Sequence, residues 1–116
     1  MGRLEPNHDA VRVAYEETSE SAGDACVITV PAVAGKLHVL EDLEFSYDDA
    51  PAALSTIKVT SGGETLLDQY ITAGGVGQFQ WGEHGRHGSE SARGSSLIIT
   101  LSASASRKGK LNAGVR

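Results

Sequence analysis

Short runs in which apolar and polar residues alternate are the feature that most constrains the fold of this chain. Residues 97–101 are one such run, with Leu97, Ile99 and Leu101 on one face. Residues 110–115 alternate in the same way. A period of two is that of a β-strand with one buried face, and no stretch of useful length shows the helical period. The chain is therefore predicted to be all-β.

Turn residues separate these runs at intervals of about 8 to 12 residues, as in a sandwich or a jelly roll. A Gly-Gly pair at residues 62–63 predicts a tight hairpin. Gly-Lys steps at residues 35–36 and 109–110 open two further strands. In the predicted strand 36–47 the alternation breaks at Leu40, which indicates a bulge. These signals predict an antiparallel, jelly-roll-like β-sandwich of seven or eight strands, and a closed barrel is the alternative.

The length of 116 residues fits one domain. Residues 25–116 are predicted to form the sandwich, and residues 1–24 an extended N-terminal arm or linker. Within the arm, residues 11–15 alternate and suit a short edge strand, whereas residues 16–24 are polar, acidic and without an apolar period. That composition indicates a loop, or a segment that orders against a partner.

The charge and composition exclude several classes of protein. A net charge of −5 is repelled by phosphate backbones, which argues against a nucleic-acid partner. The sequence has neither an 18-residue apolar run nor an apolar signal segment, so no membrane association or secretion is expected. The single cysteine, Cys26, cannot form an internal disulfide and suits a buried strand position, so synthesis in a reducing cytoplasm is expected.

No catalytic pattern is found. His84 and His87 have a spacing that can reach one metal ion, but their loop is rich in glycine and offers no partner to orient the rings. They are interpreted as an exposed loop tip or an interface contact. The adjacent Asp48 and Asp49 have diverging side chains, and no serine lies in a nucleophile motif. The prediction is a protein that is not an enzyme and needs no metal or cofactor.

Aromatic residues cluster near one predicted hairpin, where Tyr70, Phe79 and Trp81 fall close together. Aromatic side chains on a rim stack on sugars or anchor protein interfaces. The chain has only six aromatic residues (three Tyr, two Phe and one Trp). With so few, Trp81 is expected to fill the core or an interface rather than to serve as a platform for sugars. A binding role is therefore favoured over a catalytic one.

The order of several short motifs resembles that of the capsid decoration, or cement, proteins of tailed phages. The motifs occupy residues 31–40, 47–51, 57–63, 71–75, 97–101 and 109–112. The resemblance spans residues 25–116 and implies a jelly-roll-like domain, a homotrimer, and a place on the outside of the phage head. It brings no active site with it.

The resemblance implies a structural virion protein that is made in the host cytoplasm, binds the major capsid protein and stabilises the head. A tail or fibre component that binds host-surface glycans is the alternative. The residues expected to contact the capsid or another subunit lie in the arm, in the loop 82–94 and directly before that loop. They are Val11, Val13, Tyr15, Trp81, His84 and His87.

Overall fold

A computed structural model of the protein describes residues 12–52, 54–72, 75–81 and 90–116. Within these ranges the chain forms eight β-strands and no helix, so none that is long and apolar enough to cross a membrane. The strands are β1 Val13–Thr18, β2 Cys26–Val30, β3 Leu40–Tyr47, β4 Ser55–Ser61, β5 Glu64–Ile71, β6 Gly77–Gln80, β7 Leu97–Leu101 and β8 Gly109–Val115.

The strands form two four-stranded sheets, and every pair of neighbours is antiparallel. The first sheet has the order β1-β8-β3-β6 and the second the order β2-β7-β4-β5. These two orders are those of a jelly roll, in which the strands of two Greek keys are shared between two sheets. The predicted antiparallel β-sandwich is confirmed, with the higher of the two predicted strand numbers.

The core lies between the sheets and is built from the alternate residues of each strand. In β7, Leu97, Ile99 and Leu101 are fully buried, as the alternation predicted. Strand β8 contributes Leu111 and Val115 from the facing sheet. Burial of such aliphatic side chains supplies about 1.5–3 kcal/mol each and is the main force that holds the sheets together.

The predicted hairpin joins β4 to β5. Ser61 pairs with Glu64, so Gly62 and Gly63 form a two-residue loop. Both glycines have positive φ angles, 57° and 83°, as in a type I′ turn. Glycine adopts this backbone conformation without the steric cost that a side chain brings.

The strand predicted for residues 36–47 begins four residues later than expected. The carbonyl groups of Lys36 and His38 bond instead to the segment 91–94: Ser91 donates its N–H to the His38 carbonyl, and Gly94 donates to that of Lys36. The predicted bulge is present, because the register with β8 shifts between Leu40 and Asp42.

Strand β1 lies within residues 1–24, the segment predicted to be an N-terminal arm or linker. Residues 13–18 of the predicted arm form a strand that pairs with β8, and Tyr15 packs against the core. Glu16 and Glu17 do not prevent the pairing, because β1 is an edge strand on which both side chains stay exposed. Of the predicted arm, residues 1–11 lie outside the described residues.

We predict that Gly77→Ala destabilises the fold. A Cβ atom at residue 77 overlaps the ring of Phe45 on the paired strand, and crowding of this kind costs about 1–3 kcal/mol. Chemical denaturation measures the loss. Gln78→Ala, at an exposed position next to it, is the control and is expected to stay within about 0.5 kcal/mol of the parent. Equal stability of the two variants would contradict the packing described for Phe45.

Candidate functional site

The two segments in which the sequence places the binding residues adjoin the same end of the first sheet. Because neighbouring strands are antiparallel, β1 and β3 begin where β6 and β8 end. Val115 at the end of β8 pairs with both Val13 and Leu40. Trp81 follows β6 at this end, and its N–H donates to the Glu41 carbonyl at 2.8 Å. We call this the arm end, since the chain passes here to residues 1–11 and 82–89.

A buried carboxylate lies at the centre of the arm end. The bulge in β3 places Leu40 and Glu41 side by side as buried residues, and the side chain of Glu41 is 6% exposed. The Nε–H of Arg116 donates to Glu41 Oε2 at 2.7 Å. The Nε atom of Arg12 lies 3.6 Å from Oε1. A buried charge needs such partners, because it has lost its hydration.

A second ion pair holds the start of β1 on β3. The Nη2 group of Arg12 donates to both carboxylate oxygens of Asp42 at 2.8 Å, and its Nε–H donates to Oδ2 at 3.2 Å. The guanidinium lies over Gly114 of β8, in space that a Cβ atom would fill. Arg12, which directly precedes β1, is therefore held on the sheet by its side chain as well as by the pairing of that strand.

Three aromatic rings form a stacked row that leads to the arm end. The ring centroids of Phe45 and Phe79 are 6.1 Å apart, and those of Phe79 and Trp81 are 5.8 Å apart with planes at 16°. Phe79 and Trp81 are partly buried and pack against the core. Since Phe79 stacks on one face of the Trp81 ring, only the other face is left for a ligand.

Three of the six predicted site residues lie among the described residues. Val13 is 48% exposed at the beginning of β1, and Trp81 lies at the end of the sheet's opposite edge. Tyr15 is partly buried against the core, so its ring contributes packing. Val11, His84 and His87 lie outside the described residues. The structure therefore brings Val13 and Trp81 to one end of the sheet, and an interface role for these residues stays a prediction.

Two buried groups with reactive side chains serve the fold. His38 Nε2 hydrogen-bonds to the Pro31 carbonyl oxygen at 2.8 Å, and its backbone N–H donates to Ser91 Oγ at 2.7 Å. Cys26 is buried, as predicted. Its thiol donates to the Gly109 carbonyl at 3.2 Å. These hydrogen bonds are made within the fold, so both groups hold loops and strands in place.

In the part of the chain that the structure describes, no three or more His, Cys, Asp or Glu side chains come together as metal ligands. His84 and His87 are not among the described residues. The predicted lack of a metal, a cofactor and an enzymatic activity therefore stays a prediction.

The sequence did not reveal the ion pairs of the arm end. A glutamate such as Glu41 is expected at the surface, yet the structure buries it. The break in the alternation at Leu40 was a usable signal, because it indicated that the consecutive side chains of Leu40 and Glu41 lie on the same face. The partners in these ion pairs were not foreseeable, since Arg116 lies 75 residues from Glu41 in sequence and Arg12 lies 30 residues from Asp42.

Comparison of the sequence with protein-family models and with curated proteins gives no match. Among solved structures, the chain is similar to PirA, with a TM-score of 0.50 and 12% identity over 87% of this chain and 92% of that one. It is also similar to the disulfide-linked pili of Bacillus endospore appendages, with a TM-score of 0.49 and 14% identity over 90% and 84% of the two chains.

A viral capsid is also among the similar structures. It is the acid-stable capsid of a Helicobacter pylori bacteriophage, with a TM-score of 0.43 and 11% identity over 90% of both chains. The similarity to PirA shows a shared fold alone. None of the three supports a conclusion about function.

We predict that Arg116→Met lowers the free energy of unfolding by about 2–4 kcal/mol, because the buried carboxylate of Glu41 loses its nearest partner. Urea denaturation measures the change. Asp42→Asn is the matched control. It weakens a pair whose side chains are 42% and 36% exposed and leaves both arginines beside Glu41, so the expected loss is below about 1 kcal/mol. Similar losses in both variants would show that Glu41 is not the buried charge that this geometry describes.

Proposed function

We propose that the protein is a capsid decoration protein, which binds the outside of a tailed-phage head through the major capsid protein and stabilises the assembled shell. The resemblance of residues 25–116 to this class of protein supports the role. The observation that supports the mechanism is the shared position of Arg12 and Trp81 at the arm end of the first sheet. From these two residues the chain continues into residues 1–11 of the predicted arm and into the predicted loop 82–94.

The arm end suits a clamp on a shell. Residues 1–11 span up to about 40 Å when fully extended, at about 3.3–3.6 Å per residue. That length reaches from one capsid subunit to the next, while the loop contacts the shell beneath the domain. The Arg12–Asp42 pair fixes the point from which the arm leaves, so a contact made by the arm holds the whole domain.

Attachment to several subunits supplies the stabilisation. A ligand that binds only the assembled lattice shifts the equilibrium towards that lattice by mass action. Two or more linked contacts raise the avidity by orders of magnitude over one contact. In the homotrimer that the resemblance implies, three arms act together. The net charge of −5 adds repulsion between decorated particles and keeps them apart in solution.

The alternative role, a tail or fibre component that binds host glycans, relies on Trp81. A sugar platform needs an open aromatic face. Trp81 is partly buried and stacks on Phe79. The described residues therefore offer no observation that favours this role over the first.

We predict that deletion of residues 2–11 lowers the affinity for expanded heads that lack the protein by about 10–100-fold, because each domain loses one of its linked contacts. Co-sedimentation with such heads measures the affinity. The deletion must end before Arg12, since a longer one removes the ion pair with Asp42 and then β1 itself. The melting temperature is expected to stay unchanged, which separates loss of binding from loss of folding.

Trp81→Ala provides the comparison with the alternative role. Unchanged head binding by the folded deletion variant would contradict the clamp. Specific binding of the full chain to a glycan array, abolished by Trp81→Ala, would replace the proposed role with the alternative.

A further inference from the structure

The end of the first sheet opposite the arm end holds an open cavity of about 390 Å³. Strands β1 and β3 end here and β8 begins here, because neighbouring strands are antiparallel. Cavities of about 300–1,000 Å³ are typical of sites that bind small molecules. The residues that line this one are Thr18, Ser46, Tyr47, Asp48, Lys108 and Lys110. None of them belongs to the arm end, so the cavity is a separate candidate site.

A row of directly opposed residues on three strands forms one part of the lining. Lys110 of β8 pairs with Thr18 of β1 on one side and with Ser46 of β3 on the other. Gly109 and Leu111 are buried, which turns the side chain of Lys110 outward. Directly opposed residues share a face of the sheet. The ammonium group of Lys110 is therefore presented beside two hydroxyl groups.

The backbone next to this row is held by hydrogen bonds. The Asp48 N–H donates to the Lys108 carbonyl at 2.9 Å, and the Lys108 N–H donates back to Asp48 Oδ1 at 3.1 Å. Tyr47 is buried, and its hydroxyl donates to the Ser102 carbonyl at 2.6 Å. The lining is thus fixed without a ligand, which lowers the entropy that binding costs.

The cavity has a local surplus of positive charge. Lys108 and Lys110 are both exposed, and their positions lie about 7 Å apart on one face of the sheet. Ammonium groups at this separation repel each other, because salt screens such charges only partly. Among the described residues neither lysine takes part in an ion pair. In a chain with a net charge of −5, an anion bound between them relieves the repulsion.

We propose that this cavity binds a sugar acid, which is a sugar unit with one carboxylate and several hydroxyl groups. The ammonium groups of Lys108 and Lys110 hold the carboxylate through charge-assisted hydrogen bonds. Asp48 sets the second requirement. Its Oδ1 accepts the Lys108 N–H, which leaves Oδ2 to accept a hydroxyl group of the ligand. A ligand that is anionic throughout, such as phosphate, is repelled by this carboxylate, so the cavity selects one anionic end with donors elsewhere.

The site goes beyond the proposed attachment to a phage head and does not depend on it. A domain attached by the arm end leaves the opposite end of the first sheet open. The site also differs from the glycan site of the alternative role, which relies on Trp81 at the arm end. A free sugar acid and a uronic acid unit of a polysaccharide present the same chemistry to the cavity.

The test titrates the full-length protein with D-galacturonate and follows the backbone amide signals by nuclear magnetic resonance. Saturable shifts are expected at Thr18, Ser46, Lys108 and Lys110. D-galactose lacks the carboxylate and acetate lacks the hydroxyl groups, so each is expected to bind at least about tenfold more weakly. Trigalacturonate distinguishes the two sources: tighter binding than that of the monomer indicates a polysaccharide, and weaker binding indicates a free sugar acid.

Lys110→Gln is expected to weaken the binding of D-galacturonate at least about tenfold, because one of the two charge-assisted contacts is lost. Lys58→Gln is the matched control, since it removes the same charge from an exposed strand position on the second sheet. Its affinity is expected to stay within about twofold of the parent, because a distant surface charge is screened. Thermal unfolding reports whether each variant is folded.

The proposal would be overturned if D-galacturonate produced no saturable shifts, or shifts only at the arm end. Equal weakening by Lys110→Gln and Lys58→Gln would also contradict it. Inorganic phosphate that binds as tightly as D-galacturonate would show a general anion site instead. Triglutamate that binds more tightly than trigalacturonate would assign the cavity to an acidic peptide.

Discussion

The pairing of β8 with both β1 and β3 is the interaction on which the rest of the structure depends. Gly109–Val115 forms ladders with Val13–Thr18 on one side and with Leu40–Tyr47 on the other. Among the residues that the structure describes, strand β1 has no other neighbour in its sheet. Strand β8 thus holds β1 in the sheet. Leu111 and Val115 of β8 also belong to the hydrophobic core. The first sheet is not complete until the C-terminal strand is in place.

The same pairing creates the arm end. Because β8 runs antiparallel to both neighbours, Arg116, which follows β8, lies beside the beginnings of β1 and β3, where Glu41 is buried. The bulge that breaks the alternation in β3 is therefore also the place where Arg12 and Arg116 meet a buried carboxylate. This place lies at the end of the sheet from which the chain continues into the segments that hold the predicted interface residues.

The sequence predicted strands, faces and turns better than it predicted neighbours. Alternation shows which side of a strand is buried, so the core positions of β7, the turn at Gly62 and the bulge after Leu40 were all foreseeable. It does not show which strand lies alongside, because Greek-key neighbours are distant in sequence. The pairing of β1 with β8 was therefore missed. The burial of Glu41 was missed for the same reason, since it depends on Arg116 from the far end of the chain. The comparison with solved structures shows the fold but not the function, because jelly rolls serve many roles.

In the role that we propose, this jelly roll attaches to a phage head by its arm end. A cryo-electron microscopy reconstruction of the virion that contains the protein is the decisive test. We expect density for the eight-stranded domain on the outer surface of the head, with Arg12 and Trp81 turned towards the shell and density for residues 1–11 on a neighbouring capsid subunit. Density for the domain in the tail, or on the head with the arm end turned towards solvent, would contradict it.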